Sequence, residues 1–140
     1  MRTRRKPRDH ELSRSEALYQ SRGYYTARTE HKTAWGHSTD FLRCCDMVAW
    51  HPDRIGQVLV QATSASNVAG HMAKVLGHTQ AGKIPKGKAA TEALSNEERR
   101  RLTTYLDSTH GRFEIHGWDP EKAQPRVLVL VVGGGQLAFK

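Results

Sequence analysis

The chain of 140 residues contains no apolar stretch approaching the roughly 20 residues that a membrane-spanning helix needs. Its basic opening leads into no signal-peptide apolar core, so the expected location is the cytoplasm. Cysteine is scarce: Cys44 and Cys45 are adjacent, and neighbours on a strand point to opposite faces, which excludes a disulfide framework. The same pair lacks the short-spaced arrangement of a structural zinc site, so His31, His37 and His51 do not combine with it into a metal reading. Buried cysteines then serve as small apolar side chains. Acidic residues are also few, 14 against 22 Lys and Arg, which leaves a formal charge of +8 and a pI near 9.9. That balance argues for a polyanionic partner. Nucleic acid is the most economical choice because bound phosphates release counterions; acidic proteins and anionic membrane surfaces would satisfy the same charge.

What is present is organised around residues 40–67. The first run, residues 40–50, is apolar on both faces, with Leu42, Cys44, Val48 and Trp50 alternating against Phe41, Cys45, Met47 and Ala49. Asp46 lies inside that run. A buried carboxylate without partners costs several kcal/mol or takes up a proton, so Asp46 calls for a cation, a donor cluster or an open cleft; a satisfied Asp at a strand end is the simpler alternative. After a turn over residues 52–56 comes a second strand, residues 57–64, on which Gln61 and Thr63 share a face. Ser64, Ser66 and Asn67 then open a helix over residues 67–77, with Val68, Met72, Val75 and Leu76 as its inner face.

This pattern resembles the PD-(D/E)XK nuclease superfamily, and within it the Holliday junction resolvase-like members and small phage and bacterial proteins carrying a VQxTSxSN stretch. Asp46 matches the motif Asp, and Gln61-Ala62-Thr63 stands where (D/E)xK is expected. A strand ending in His116-Gly117-Trp118 extends the likeness over residues 13–118. The resemblance implies an α/β fold with a restriction-endonuclease-like α-β-β-β-α-(α)-β core, a mixed central sheet flanked by helices. It also implies Mg2+ or Mn2+ as cofactor and DNA as partner. The metal ligands it implies are Asp46, the Ala62 carbonyl, Gln61 in place of an acid, and a Glu on the first helix, matched here by Glu16; Glu30 is a further source of charge. Thr63 stands where the family has its lysine, and Lys74, one helix later, would have to supply that cation; a solvated surface lysine is the alternative.

The rest of the chain reads as one domain. Residues 1–10 form a basic disordered arm in which Arg4, Arg5 and Lys6 would follow a phosphate backbone or act as a solubilising tail. The folded domain spans residues 11–132. Its first helix covers residues 13–21, with Ser13 and Glu16 as a capping box and Gly23 as the stop, and its first strand covers residues 24–33. The capping box is by itself a sufficient role for Glu16. Lys83, Lys86 and Lys88 sit on a flexible loop able to close on a phosphate backbone. Ser95 and Glu98 make a second capping box, opening a helix with Leu94, Leu102, Tyr105 and Leu106 as its core face and Gly111 past its end. Residues 112–118 form a strand with Phe113 and Ile115 inward. Residues 122–132 form an edge or closing strand whose apolar run must be covered, a homodimer being one way. Residues 133–140, starting with three glycines, are expected to leave the fold as a tail.

Two functions fit these residues. One is a metal-dependent endodeoxyribonuclease, Holliday junction resolvase-like, with Asp46 as principal ligand. The other is a catalytically inactive nuclease fold that binds nucleic acid or a protein. Retention of Asp46 favours the first, and loss of both (D/E)xK side chains favours the second.

Overall fold

The computed structural model describes residues 7–29, 31–32, 38–39, 44–79, 82–84, 86–87, 90, 92–133 and 136–140. Arg4, Arg5, Lys6, Glu30, His37, Phe41, Leu42 and Lys88 lie outside them, and so does most of the expected arm. Helix α1 spans Pro7–Ser21; strands β1, β2, β3, β4 and β5 span Tyr25–Arg28, His31–Lys32, Ser38–Thr39, Met47–Trp50 and Gln57–Ser64. A 3-10 turn at Ala65–Asn67 leads into α2, Val68–Leu76, which is followed by α3, Asn96–Thr109. Strands β6, β7 and β8 are Arg112–Trp118, Arg126–Gly133 and Gln136–Phe139.

Six strands form a mixed sheet in the order β1-β4-β5-β6-β7-β8, and β2 pairs with β3 in a separate ribbon. Only β5 and β6 run parallel, because the chain between them returns through α2 and α3; the other neighbours are antiparallel. The fold is therefore α/β. Strand alternation splits the core in two. Val58, Val60 and Ala62 pack with Met47 and Ala49 against Leu12 and Tyr19 of α1. Leu59, Phe113, Ile115, Leu128 and Leu130 pack against Val68, Met72 and Val75 of α2 and Leu102 and Leu106 of α3, with Cys44 and Cys45 in the same cluster.

Several local signals are realised as written. Ser95 Oγ accepts from Glu98 N–H at 3.1 Å and Glu98 Oε1 accepts from Ser95 N–H at 3.0 Å, a complete capping box. Gly23, at φ +87°, ends α1 through paired bonds: its N–H donates to Gln20 O and that of Tyr24 donates to Tyr19 O.

Other expectations are corrected. Helix α1 begins at Pro7, where proline's missing N–H costs nothing in a first turn, so residues 7–10 are helical and Ser13 lies in mid-helix rather than at a cap. The first strand stops at Arg28 instead of running to residue 33, and the strand carrying Trp50 begins only at Met47, after a bend at Asp46. The C-terminal segment does not leave the fold: Gln136–Phe139 pairs along β7, and Lys140 exchanges two 3.0 Å main-chain bonds with Val129. Thus β7 is covered within the chain, and no second copy is needed for it.

Helix α1 is seated by polar contacts. Glu114, on the α1 side of β6, accepts from Arg112 Nε at 2.7 Å, from His116 Nε2 at 2.9 Å and from the Tyr19 hydroxyl. His116 Nδ1 faces Ser15 Oγ at 2.9 Å, and Ser15 Oγ accepts from Trp118 Nε1 at 2.8 Å. With the imidazole proton on Nε2, every donor has an acceptor. Arg14 adds a cation-π contact over Trp118 at 4.1 Å and a 3.0 Å bond to Asp119 O. Burial pushes the Glu114 carboxyl up, but bonds from His116 and Tyr19 and the nearby charges outweigh it and hold the pKa below the ordinary value. Burial and the bond to Glu114 push the Tyr19 phenol upward.

Two predictions follow from this packing. Because the folded pKa of Glu114 lies below its unfolded value, its contribution is present above the unfolded value and disappears as pH falls through the folded one. Glu114→Gln should therefore cost about 2 kcal/mol near neutrality, with the gap to wild type closing as the pH falls below the ordinary carboxylate range, read by urea unfolding at successively lower pH. Gly56 sits at φ +90° with His110 O only 2.1 Å from the site of a Cβ, whereas Gly70, inside α2, has nothing within 4 Å. Gly56→Ala should cost more than about 2 kcal/mol, and Gly70→Ala should stabilise by about 0.5–1 kcal/mol, as midpoints in urea would report.

Candidate functional site

Asp46 stands at the entry to β4. Its N–H donates to Val60 O and its carbonyl accepts from Thr29 N–H, both at 2.8 Å, so the main chain ties it to β5 on one side and to the end of β1 on the other. The β4–β5 register pairs Met47 with Val60, and at the bend just before Met47 the Asp46 side chain reaches Gln61 of β5. The Asp46 side chain is fully buried. Its Oδ2 accepts from Gln61 Nε2 at 2.8 Å and from the Ala62 N–H at 3.3 Å.

Gln61, only 2% exposed, leaves its amide oxygen without a hydrogen-bond partner among the described residues. A buried unpaired carbonyl oxygen is costly, and it ends the row formed by Asp46 Oδ2 and Gln61 Nε2. Thr63 is buried two residues further along the same face. These residues occupy the carboxyl half of β5, where β5 and β6 run parallel. In open α/β sheets the crevice beyond the carboxyl ends of parallel strands is the usual ligand site.

The acid that α1 brings to Asp46 is Glu11. Its carboxyl pKa is raised, first by burial and also by the Asp46 charge, against a lowering effect of Arg14. Glu16 is directed elsewhere: its Oε1 accepts from Arg28 at 2.6 and 2.8 Å, an ion pair with β1. Helical geometry separates the two. Residues 11, 15 and 19 are four apart and share the sheet-facing stripe, and residue 16 is rotated about 100° from residue 15. The 13–16 spacing in the sequence suggested a cap, and the α1 side of β6, which fixes the rotation, was read only for its other face.

Lys74 is half-buried on α2, and its carbonyl accepts from Leu94 N–H at 2.8 Å. Lys83 and Lys86 are exposed on the segment between α2 and α3. Sequence reading also missed Ser15, Glu114 and His116. The alternation Glu114, His116, Trp118 against Phe113, Ile115 was the available signal. Their order resembles a hydrolase triad, but Ser15 is fully buried and its Oγ already accepts from Trp118, so the row braces α1.

Among the described residues no group of three or more His, Cys, Asp or Glu is gathered for a metal ion. A hard divalent cation, however, takes oxygen donors of any kind, and Gln61 Nε2 lies between the Asp46 carboxylate at 2.8 Å and the Ala62 carbonyl at 3.4 Å. With the Gln61 amide turned to present Oε1, these oxygens would suit Mg2+ or Mn2+ with part of the shell left to water or phosphate. Compared with protein-family models, with curated proteins and with solved structures, the chain gives no match.

Proposed function

We propose that the chain is a nuclease-fold DNA-binding protein acting as a Mg2+- or Mn2+-dependent endodeoxyribonuclease, of the Holliday junction resolvase-like kind. The observation that carries this reading is the fully buried Asp46 carboxylate beside Gln61, whose amide oxygen has no hydrogen-bond partner among the described residues. The six-stranded mixed sheet, with α1 on one face and α2 and α3 on the other, is compatible with the restriction-endonuclease-like core. The formal charge of +8 suits a polyanionic substrate.

Asp46, Gln61 through Oε1 and the Ala62 carbonyl are the residues that would hold the ion, with Glu11 within electrostatic range of Asp46. When bound, such an ion neutralises phosphate charge and lowers the pKa of an attacking water. Gln61 Nε2 and the Ala62 N–H fix one oxygen of Asp46, which orients the carboxylate. The raised pKa of Glu11 keeps a second carboxyl able to take or give up a proton closer to neutrality than an exposed Glu. Lys74, Lys83 and Lys86, with Arg4, Arg5, Lys6 and Lys88, supply cations for the DNA backbone.

A second reading has its own support. Neutral Gln61 and Thr63 stand where the resembled family carries an acid and a lysine, which suits a catalytically inactive fold that binds nucleic acid or a protein partner.

Incubation with branched, linear and supercoiled DNA in Mg2+ or Mn2+ separates the two. Cleavage should be lost in EDTA and fall by about 100-fold or more in Asp46→Ala. Glu11→Gln should fall with it, and Glu16→Gln should keep its rate and lose only the small worth of an exposed ion pair, about 0.5 kcal/mol. No cleavage by wild type, with binding that weakens steeply as salt rises, would establish the second reading. Equal cleavage by wild type and Asp46→Ala would remove Asp46 from the chemistry.

A further inference from the structure

The outer strand of the sheet carries an aromatic pair that the fold does not bury. Tyr25 and Trp50 are direct partners in the β1–β4 register, and their rings stack with centroids 5.8 Å apart and planes at 26°. Tyr25 is 59% exposed and Trp50 40% exposed, so one wide π-surface faces solvent at the sheet edge. Their neighbours behave differently. Tyr24 and His51, one residue away on each strand, pack edge to face at 5.1 Å, with Tyr19 4.8 Å from Tyr24 on the α1 side. Arg54 in the β4–β5 turn donates to the Tyr24 hydroxyl at 3.3 Å.

Register also says which face the exposed pair occupies. Val48 pairs with Leu59 and Trp50 with Gln57, so Tyr25 and Trp50 share the face of β5 that carries Gln61, whose amide bonds the Asp46 carboxylate. Gln57, the partner of Trp50, and Gln61 are four positions apart on β5, about 13 Å. That is about the reach of two extended nucleotides, so a strand with one base on the pair could present a phosphate near Asp46.

We propose that Tyr25 and Trp50 form a stacking platform for unpaired bases, so that the DNA this protein engages carries single-stranded character beside the carboxylate site. The inference rests on the reading of the chain as a DNA-acting protein and names the substrate class of that same site. Bases in duplex are already stacked and closed to such a surface, whereas single strands and junction arms offer free π-faces. The cationic balance of the chain attracts the backbone, and the aromatic pair selects the form.

The test is fluorescence anisotropy in EDTA with a labelled 20-nucleotide single strand, a four-way junction and a blunt duplex. Wild type should bind the single strand and the junction more tightly than the duplex. Tyr25→Ala/Trp50→Ala should lose about 10-fold or more on the single strand and stay within about 2-fold on the duplex. Tyr25→Phe/Trp50→Phe should restore most of the loss, and urea unfolding should confirm that each variant folds. Equal losses on all three DNAs, no loss, or a wild-type preference for duplex would overturn the platform and leave the Asp46 reading standing. Tight single-strand binding without cleavage in Mg2+ would do the reverse. A dimer in sedimentation that Trp50→Ala dissociates would assign the pair to a second copy and overturn the proposal, as would wild type binding no DNA.

Discussion

The carboxylate of Glu114 decides where helix α1 can sit. It is 4% exposed and bound to Arg112, His116 and Tyr19, and through His116 the row reaches Ser15. Such a group tolerates little displacement, because any partner withdrawn leaves a buried charge or donor unmet. Tyr19 and Ser15 are one turn apart, so fastening both sets the rotation of the helix as well as its height. Leu12 then falls into the apolar cluster under β5, Glu11 comes within electrostatic range of Asp46, and Glu16 turns to Arg28. A purely apolar α1 stripe would give burial without that angular precision.

Asp46 is buried at the other side of the same arrangement, and its surroundings explain how the sheet tolerates it. One oxygen takes a side-chain amide and a main-chain amide from β5, and the flanking backbone is bonded in both directions. The Asp46 charge in turn helps burial to raise the Glu11 pKa. Pairs of this kind are where proton positions respond most to an added cation or phosphate. The unpaired Gln61 oxygen fits the same picture, since an amide turned nitrogen-first toward a carboxylate must leave its oxygen facing something else.

Much of the framework was legible because it follows local rules. Ser95 with Glu98, Gly23 after α1, the turn over residues 52–56 and the inner faces of α2 and α3 each depend on a few neighbouring residues. Helix α1 was shortened for the opposite reason. Its buried stripe is Leu12, Ser15 and Tyr19, a mixture that gives little apolar periodicity, and its first turns are charged. Strand β8 was hidden by the glycines before it: their conformational freedom reads as an exit from the fold, and only pairing with β7 across residues 130–133 shows a hairpin. Asp46 stood out as a carboxylate inside an apolar run, and Gln61 was singled out by the motif resemblance. Glu11 was not, because which acid of a helix meets a sheet depends on contacts some hundred residues away in the chain.

The two faces of β5 and β6 thus spend polarity differently. On the α1 face, Glu114, His116, Tyr19 and Ser15 satisfy one another and make a brace. On the opposite face, Gln61 turns its amide nitrogen to Asp46 and keeps its oxygen without a hydrogen-bond partner among the described residues. A closed network has nothing left to offer a ligand, whereas an open one has a lone pair already desolvated and held in place. Gln61 and Thr63 bring no charge to this part of the sheet, so on the proposed reading metal affinity would rest mainly on Asp46. On that reading, an ion held by so few protein charges would be held best when a phosphate completes its shell, which would make the anionic ligand part of the site rather than a visitor to it.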